Sequence, residues 1–201
     1  MLCAMMLVVR VSPALASDTR AATLPTTQPL DFSTPKAMLL SYDRSAGGGV
    51  TVFIQFYATH NAEEEKLVAE ESRSESMYGL LQVMVQQKWG NDGMNTVLHA
   101  FGEKTHDDIQ AGTVDVDGDT ARFNWSDDSP PVPFVRKDGR WKIDATSFKN
   151  SLGMSVDDYI TSLHAMFPVI ADIADGIDSG KLDSPTAVAA EIERRLKAMN
   201  Q

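Results

Sequence analysis

Residues 134–148, FVRKDGRWKIDATSF, constrain the fold of this chain more than any other stretch. Apolar and polar residues alternate on both sides of Asp138-Gly139, a dipeptide that strongly signals a two-residue hairpin loop. Such a loop sets Arg136 opposite Trp141 and Phe134 opposite Ile143. One face is then apolar, with the Arg136 stem laid on the indole. The opposite face carries Lys137, Arg140, Lys142 and Asp144, as a solvated face should. We read the hairpin as a wall for a core to pack against, not as a carrier of chemistry.

A second hairpin precedes it. Val114 and Val116 face one way, and Ala121, Phe123 and Trp125 match them across the turn at Asp117-Gly118-Asp119. A two-residue loop, either Asp-Gly or Gly-Asp, keeps these residues on one face, whereas a three-residue loop does not. The pattern leaves that choice open. Ser129-Pro130-Pro131 separates the two hairpins.

The remainder reads mostly as helix. Thr34-Pro35 starts one, with Thr as cap and Pro at the first helical position, and it runs to about Ala46 before Gly47-Gly48-Gly49. In VTVFIQFY, residues 50–57, strand and helix patterns compete: Val50, Val52, Ile54 and Phe56 alternate, while Val52, Phe53, Phe56 and Tyr57 make a helical stripe. Asn61 and Glu64 form a capping box for a long helix to about Lys88, ending at Gly90. Its first half is acidic and polar, and its second half turns Met77, Tyr78, Leu81, Met84, Val85 and Trp89 to a core. A turn at Asn91 to Gly93 leads into a short helical piece over Met94 to Phe101. Ser155 and Asp158 open a further helix, whose stripe is Tyr159, Ile160, Leu163, Met166, Ile170, Ile173 and Ile177, with a kink expected at Pro168. Ser184-Pro185 starts a last helix with Val188, Ile192, Leu196 and Met199 on one side.

The start of the chain has the form of an export signal. Leu2 to Val9 is a short apolar run, and Ala14-Leu15-Ala16 is a small-x-small cleavage site before Ser17. No Lys or Arg precedes the run, so the true start of translation can lie upstream. The run is too short to span a bilayer as a helix, and no membrane span is expected elsewhere. Cys3 is the only cysteine and leaves with the signal, which removes disulfides, cysteine ligands and a thiol nucleophile from the mature chain. Cys3 is also too close to the start to be a lipidated cysteine after a full signal. Residues 17–33 are rich in Ala, Thr and Pro and read as a flexible linker.

The formal net charge is −10, and loss of Arg10 makes it more negative. Such a chain repels nucleic acid and anionic lipid at long range. The cluster Arg136, Lys137, Arg140, Lys142 flanks a turn, where solvated charge is usual, so no nucleic-acid partner is expected.

Helices followed by antiparallel strands ending in VRKDGRWKIDATSF resemble the nuclear transport factor 2-like superfamily, which includes ketosteroid isomerase and polyketide cyclases. The segments TPKAML, ATHNAEEEKL and DGRWKID, and the tail GKLDSPTAVAAEI, look most like exported bacterial members, over residues 34 to 195. No single motif among them is decisive. The resemblance implies an α+β domain, with N-terminal helices on a curved antiparallel sheet forming a cone with a pocket. It favours helix over strand at 50–57. It also implies a periplasmic or extracellular bacterial protein, and relatives that dimerise through the sheet, although nothing in this chain tests a homodimer. The domain reading is a signal peptide at 1–16, a linker at 17–33, a cone-shaped domain at 34–150 and a C-terminal helical extension at 151–201.

Enzymes of that superfamily use a pocket carboxylate or His with Tyr or Asp donors, tuned by an apolar lining. Tyr42, Tyr57, His60, His99, His106 and Asp115 are the candidate pocket polars here, and His164 reads as a helix flank. None has a spacing that matches an active member, so no catalytic, cofactor-binding or metal residue is assigned. Asp115-Val116-Asp117-Gly118-Asp119 invites a calcium reading. The EF-hand loop wants Gly at its sixth position and Glu at its twelfth, where this stretch has Gly118 fourth and Ser126 twelfth. Alternation in a hairpin explains the spacing better, with Asp115 facing Arg122 in one register. Gly47-Gly48-Gly49 follows a helix and lacks the Lys and Ser/Thr of a phosphate loop. The expectation is a non-catalytic exported protein that binds a small apolar ligand or a protein partner, with no cofactor. Two alternatives stand beside it: a cofactor-free isomerase or cyclase, and a structural accessory whose own side chains fill the cone.

Overall fold

A computed structural model of the protein describes residues 29–102, 104 and 106–199. The export signal at 1–16 and the linker up to residue 28 lie outside the described residues. The end of that linker is docked: Trp141 N–H donates to the Phe32 carbonyl at 3.0 Å, and Leu30 and Phe32 pack on the core.

Helix α1 spans Pro35–Asp43, and Thr34 caps it by accepting from Ala37 N–H at 3.0 Å. It stops short of Ala46, and a turn through Gly47 (φ 82°) reaches α2, Val50–Phe53. A 3-10 turn at Ile54–Phe56 follows, then β1 at Tyr57–Ala58. The ambiguous segment is therefore helical almost to its end, against its strand propensity. Burial decides it, because helical spacing turns Phe53, Phe56 and Tyr57 together into the core.

Helix α3, Ala62–Phe101, is the long axis of the molecule. Asn61 accepts from Glu64 N–H at 3.0 Å, and Glu64 reaches back to His60 N–H at 2.7 Å. Backbone geometry leaves the helix at Gly90 (φ 69°, ψ −167°) and resumes directly, so Asn91 to Gly93 is helical where a turn was expected. The acidic first half is partly enclosed: Glu64, Leu67, Val68, Glu71 and Glu75 are buried, while Glu63 and Glu65 are exposed. A short α4, His106–Ala111, leads to the strands.

These are β2 (Thr113–Asp117), β3 (Thr120–Asn124), β4 (Val132–Lys137) and β5 (Arg140–Asp144). The sheet order is β1-β5-β4-β3-β2. The β4–β5 register pairs Arg136 with Trp141 and Phe134 with Ile143, and the guanidinium lies 4.6 Å from the Trp141 ring centre. Asp138 (φ 53°) and Gly139 (φ 74°) both take positive φ, as the hairpin turn that matches strand twist requires. In the first hairpin Asp117 pairs with Thr120, so Gly118-Asp119 is the loop and Asp115 faces Arg122. One expectation is corrected: the sheet is mixed rather than wholly antiparallel, because β1 runs parallel to β5. The sheet does not close on itself, and the architecture is α+β.

Helix α5, Ala145–Ser151, is capped by Asp144. Helix α6, Val156–Asp178, continues unbroken through Pro168, and its whole predicted stripe is buried. By length and composition α6 could cross a membrane, but its apolar stripe is covered as in a core helix. Helix α7 is Pro185–Met199. Two apolar clusters result. One joins the inner sheet face to α1, α2, the start of α3, α5 and the first half of α6. The other joins the later parts of α3 and α6 to α7. Helices α3 and α6 run through both.

Candidate functional site

The polar groups that most need explaining lie inside the first cluster. The spacing of α3 puts Glu71 on the same face as Leu67, one turn before it, and Glu75, one turn after. Glu71 is 1 % exposed, and the Tyr159 hydroxyl donates to its Oε2 at 2.8 Å. Its Oε1 has no hydrogen-bond partner among the described residues. Burial pushes the Glu71 carboxyl up to about 7, against the pull of the Tyr159 bond. Glu75 is buried beside it.

Three tyrosines converge on this pair from different elements. Tyr42 comes from α1, Tyr57 from β1 and Tyr159 from α6. The Tyr42 and Tyr57 hydroxyls are 3.4 Å apart. Burial raises all three hydroxyls well above the usual phenol range, and Glu71 and Glu75 add to the shift. Glu71 and the three tyrosines are therefore held neutral more readily than they would be in water.

The rings around them are closely packed. Tyr42 meets Phe53 at 5.3 Å and Phe56 at 5.0 Å edge-on, and Phe148 lies 6.1 Å from Tyr159. Phe123, Phe134 and Trp141 fill the sheet side at 0 %, 2 % and 2 % exposure. A cavity of about 10 Å³ is lined by Tyr42, Phe53, Glu75, Gly79 and Gln82. That is room for about one water, whereas organic ligands take pockets of roughly 300–1,000 Å³. A general base needs its substrate within hydrogen-bond reach, and beside Tyr42 and Glu75 the described residues leave only this volume. The cluster can exchange a proton and tie α3 to α6. An open depression of about 440 Å³ lies elsewhere, on the surface, lined by Leu30, Phe32, Ser33, Gln55, Gly139 and Arg140.

Of the residues singled out from sequence, the fold brings only Tyr42 and Tyr57 together. His60 is exposed, 3.8 Å from Asp144. His99 is exposed in the last turn of α3. His106 Nδ1 lies 2.9 Å from Oδ2 of the buried Asp43, tying α4 to α1. Asp115 is exposed on β2 and accepts from Asn124 Nδ2 at 2.8 Å. His164 pairs with Glu70 at 2.8 Å on the surface. Among the described residues no three His, Cys, Asp or Glu side chains converge to hold a metal ion. Sequence reading missed Glu71, Glu75 and Tyr159. A signal existed, because Glu71 and Glu75 fall on the helical stripe with Leu67, Tyr78 and Leu81, but the acidic composition of the segment outweighed it.

No protein-family model, curated protein or solved structure matches the chain.

Proposed function

We propose that this is a non-catalytic exported protein whose cone, of the nuclear transport factor 2-like kind, is filled by its own side chains, and which works by binding a protein partner at its surface. The packed interior carries this reading. Tyr42, Phe53, Phe56, Phe123, Phe134, Trp141 and Tyr159 are each no more than 2 % exposed. That leaves no volume for the small apolar ligand that the resemblance also allows. One observation favours an isomerase-like alternative, namely the Tyr159–Glu71 bond on a carboxyl raised to about 7. It lacks the space a substrate would need.

The test is thermal unfolding of the mature chain against a panel of steroids, fatty acids and aromatic polyketides. A ligand that selects the folded state raises Tm in proportion to the logarithm of its concentration. The expected result is no shift with any of them. A saturable, concentration-dependent rise that persists when Phe32→Ala removes the apolar wall of the surface depression would show that the interior opens, and would overturn this reading.

A further inference from the structure

Several cations of this acidic protein are held in ion pairs. Lys66 pairs with Asp157 at 2.7 Å, Lys149 with Glu63 at 2.9 Å and Arg195 with Asp172 at 2.6 Å. The outer face of the sheet gathers four cations that, among the described residues, are not. Lys137 lies opposite Arg140, Lys142 opposite Val135, and Arg122 opposite Pro133. Residues opposite one another in an antiparallel pair share a face, as do residues two apart on one strand. All four cations therefore project from one side of three adjacent strands, with half-buried Val135 and Pro133 between them, and Asp144 on β5 and Asp115 and Asp117 on the adjoining β2 share that side. Arg122, Lys137 and Arg140 are exposed, and none of the four is in an ion pair among the described residues. Lys137 donates only to the Thr59 carbonyl, at 3.4 Å, and Arg140 lies over the Phe32 ring. Partial burial and then the neighbouring Lys137 and Arg140 lower the Lys142 pKa, against the opposing pull of Asp138. The open depression bordered by Phe32, Leu30 and Arg140 adjoins this face and offers apolar contact beside the charge.

We propose that the outer face of β3, β4 and β5 is the docking surface for an acidic segment of a partner protein, read by Arg122, Lys137, Arg140 and Lys142. The proposal rests on the partner-binding reading above and names its surface and chemistry. Charge complementarity argues for the occupant, and the net charge of −10 narrows it. A duplex or an anionic bilayer extends its charge over many screening lengths and meets the repulsion of the whole molecule. A short acidic peptide samples only what lies within about 8 Å, and at the β4–β5 hairpin it meets Lys137, Arg140 and Lys142 together. Apolar side chains in that segment would find Val135, Pro133 and the Phe32 depression.

The probe is a fluorescein-labelled octa-glutamate peptide, read by anisotropy against the full chain at low ionic strength. Saturable binding that weakens steeply with salt is expected. The double change R140E/K142E should lower affinity about tenfold or more. The milder R140Q/K142Q should lose less and guards against a folding defect, as does near-ultraviolet circular dichroism on both. K181E/K197E, the same charge change at two exposed lysines off this face, should alter affinity by no more than about twofold. Vesicles of phosphatidylglycerol and a single-stranded oligonucleotide complete the set and should bind more weakly than the peptide. No saturable peptide binding, equal losses in R140E/K142E and K181E/K197E, or tighter binding of vesicles or oligonucleotide would each overturn the proposal. A closed interior would survive any of those results, and a ligand-induced rise in Tm would leave this surface test standing.

Discussion

The buried Glu71 makes a quantitative prediction about stability and pH. Its carboxyl sits at about 7 in the folded protein, against an ordinary value of 4.5. Between those values the folded state holds a proton that the unfolded state has released. Stability must then fall as pH rises from 4.5 through about 7 and level off above it, and the stabilising contribution is fully present only below 4.5. At about 1.4 kcal/mol per pH unit the loss amounts to about 3 kcal/mol, for a group with no exposure to screen it. Glu75 on the same helix, with Tyr42, Tyr57 and Tyr159 from the facing elements, surrounds the group, and no Lys or Arg faces it among these. The perturbation is Glu71→Gln, which keeps the acceptor for Tyr159 but cannot ionise. The assay is urea unfolding from pH 4.5 to 8 on both proteins. Groups remote from the cluster act alike in both, so the difference between the two curves reports this carboxyl together with the adjacent Glu75. Glu71→Gln should be of similar or lower stability at the acidic end, and should gain relative to the parent by about 2–3 kcal/mol by pH 8, after about 1 kcal/mol for burying the extra amide donors. Parallel stability curves for the two proteins would refute the reasoning.

Three further predictions concern packing and the ties between elements. Trp141→Ala should cost about 3–5 kcal/mol in chemical denaturation, because the indole is fully enclosed and leaves a cavity. Gly79→Ala should destabilise, although Ala favours helix by about 1 kcal/mol. A Cβ there would stand 2.5 Å from Gly47 N, and backbone cannot swing aside as a side chain can. A rise in Tm would show that the α1–α2 turn yields freely. His106→Ala should cost about 1–3 kcal/mol by removing a partner of buried Asp43, and hydrogen exchange should quicken in α4 and the end of α1.

The hairpins were legible because their information is local. The alternation around Asp138-Gly139 and around Gly118-Asp119 fixes which residues face each other within a few positions, and the observed registers follow. The stripe of α6 was legible for the same reason, as were the caps at Thr34, Asn61 and Ser155. Residues 50–57 were not, since two periodicities fit the same side chains and the choice depends on what covers them. The strand β1 was invisible. Two residues carry no pattern, and they become a strand only because β5 presents an open edge.

The candidate site shows the same division more sharply. Sequence alone determined that α3 and α6 are long rods with apolar stripes, and that the sheet has one apolar and one charged face, because periodicity is a property of neighbouring residues. Tertiary structure alone decided that Glu71 faces inward with Tyr42, Tyr57 and Tyr159 around it, and that four cations on three strands gather on one face outside any ion pair among the described residues. The residues concerned are far apart in the chain. Their pKa values and their charge balance depend on distances across the core and the sheet, and a linear order of residues does not contain those distances.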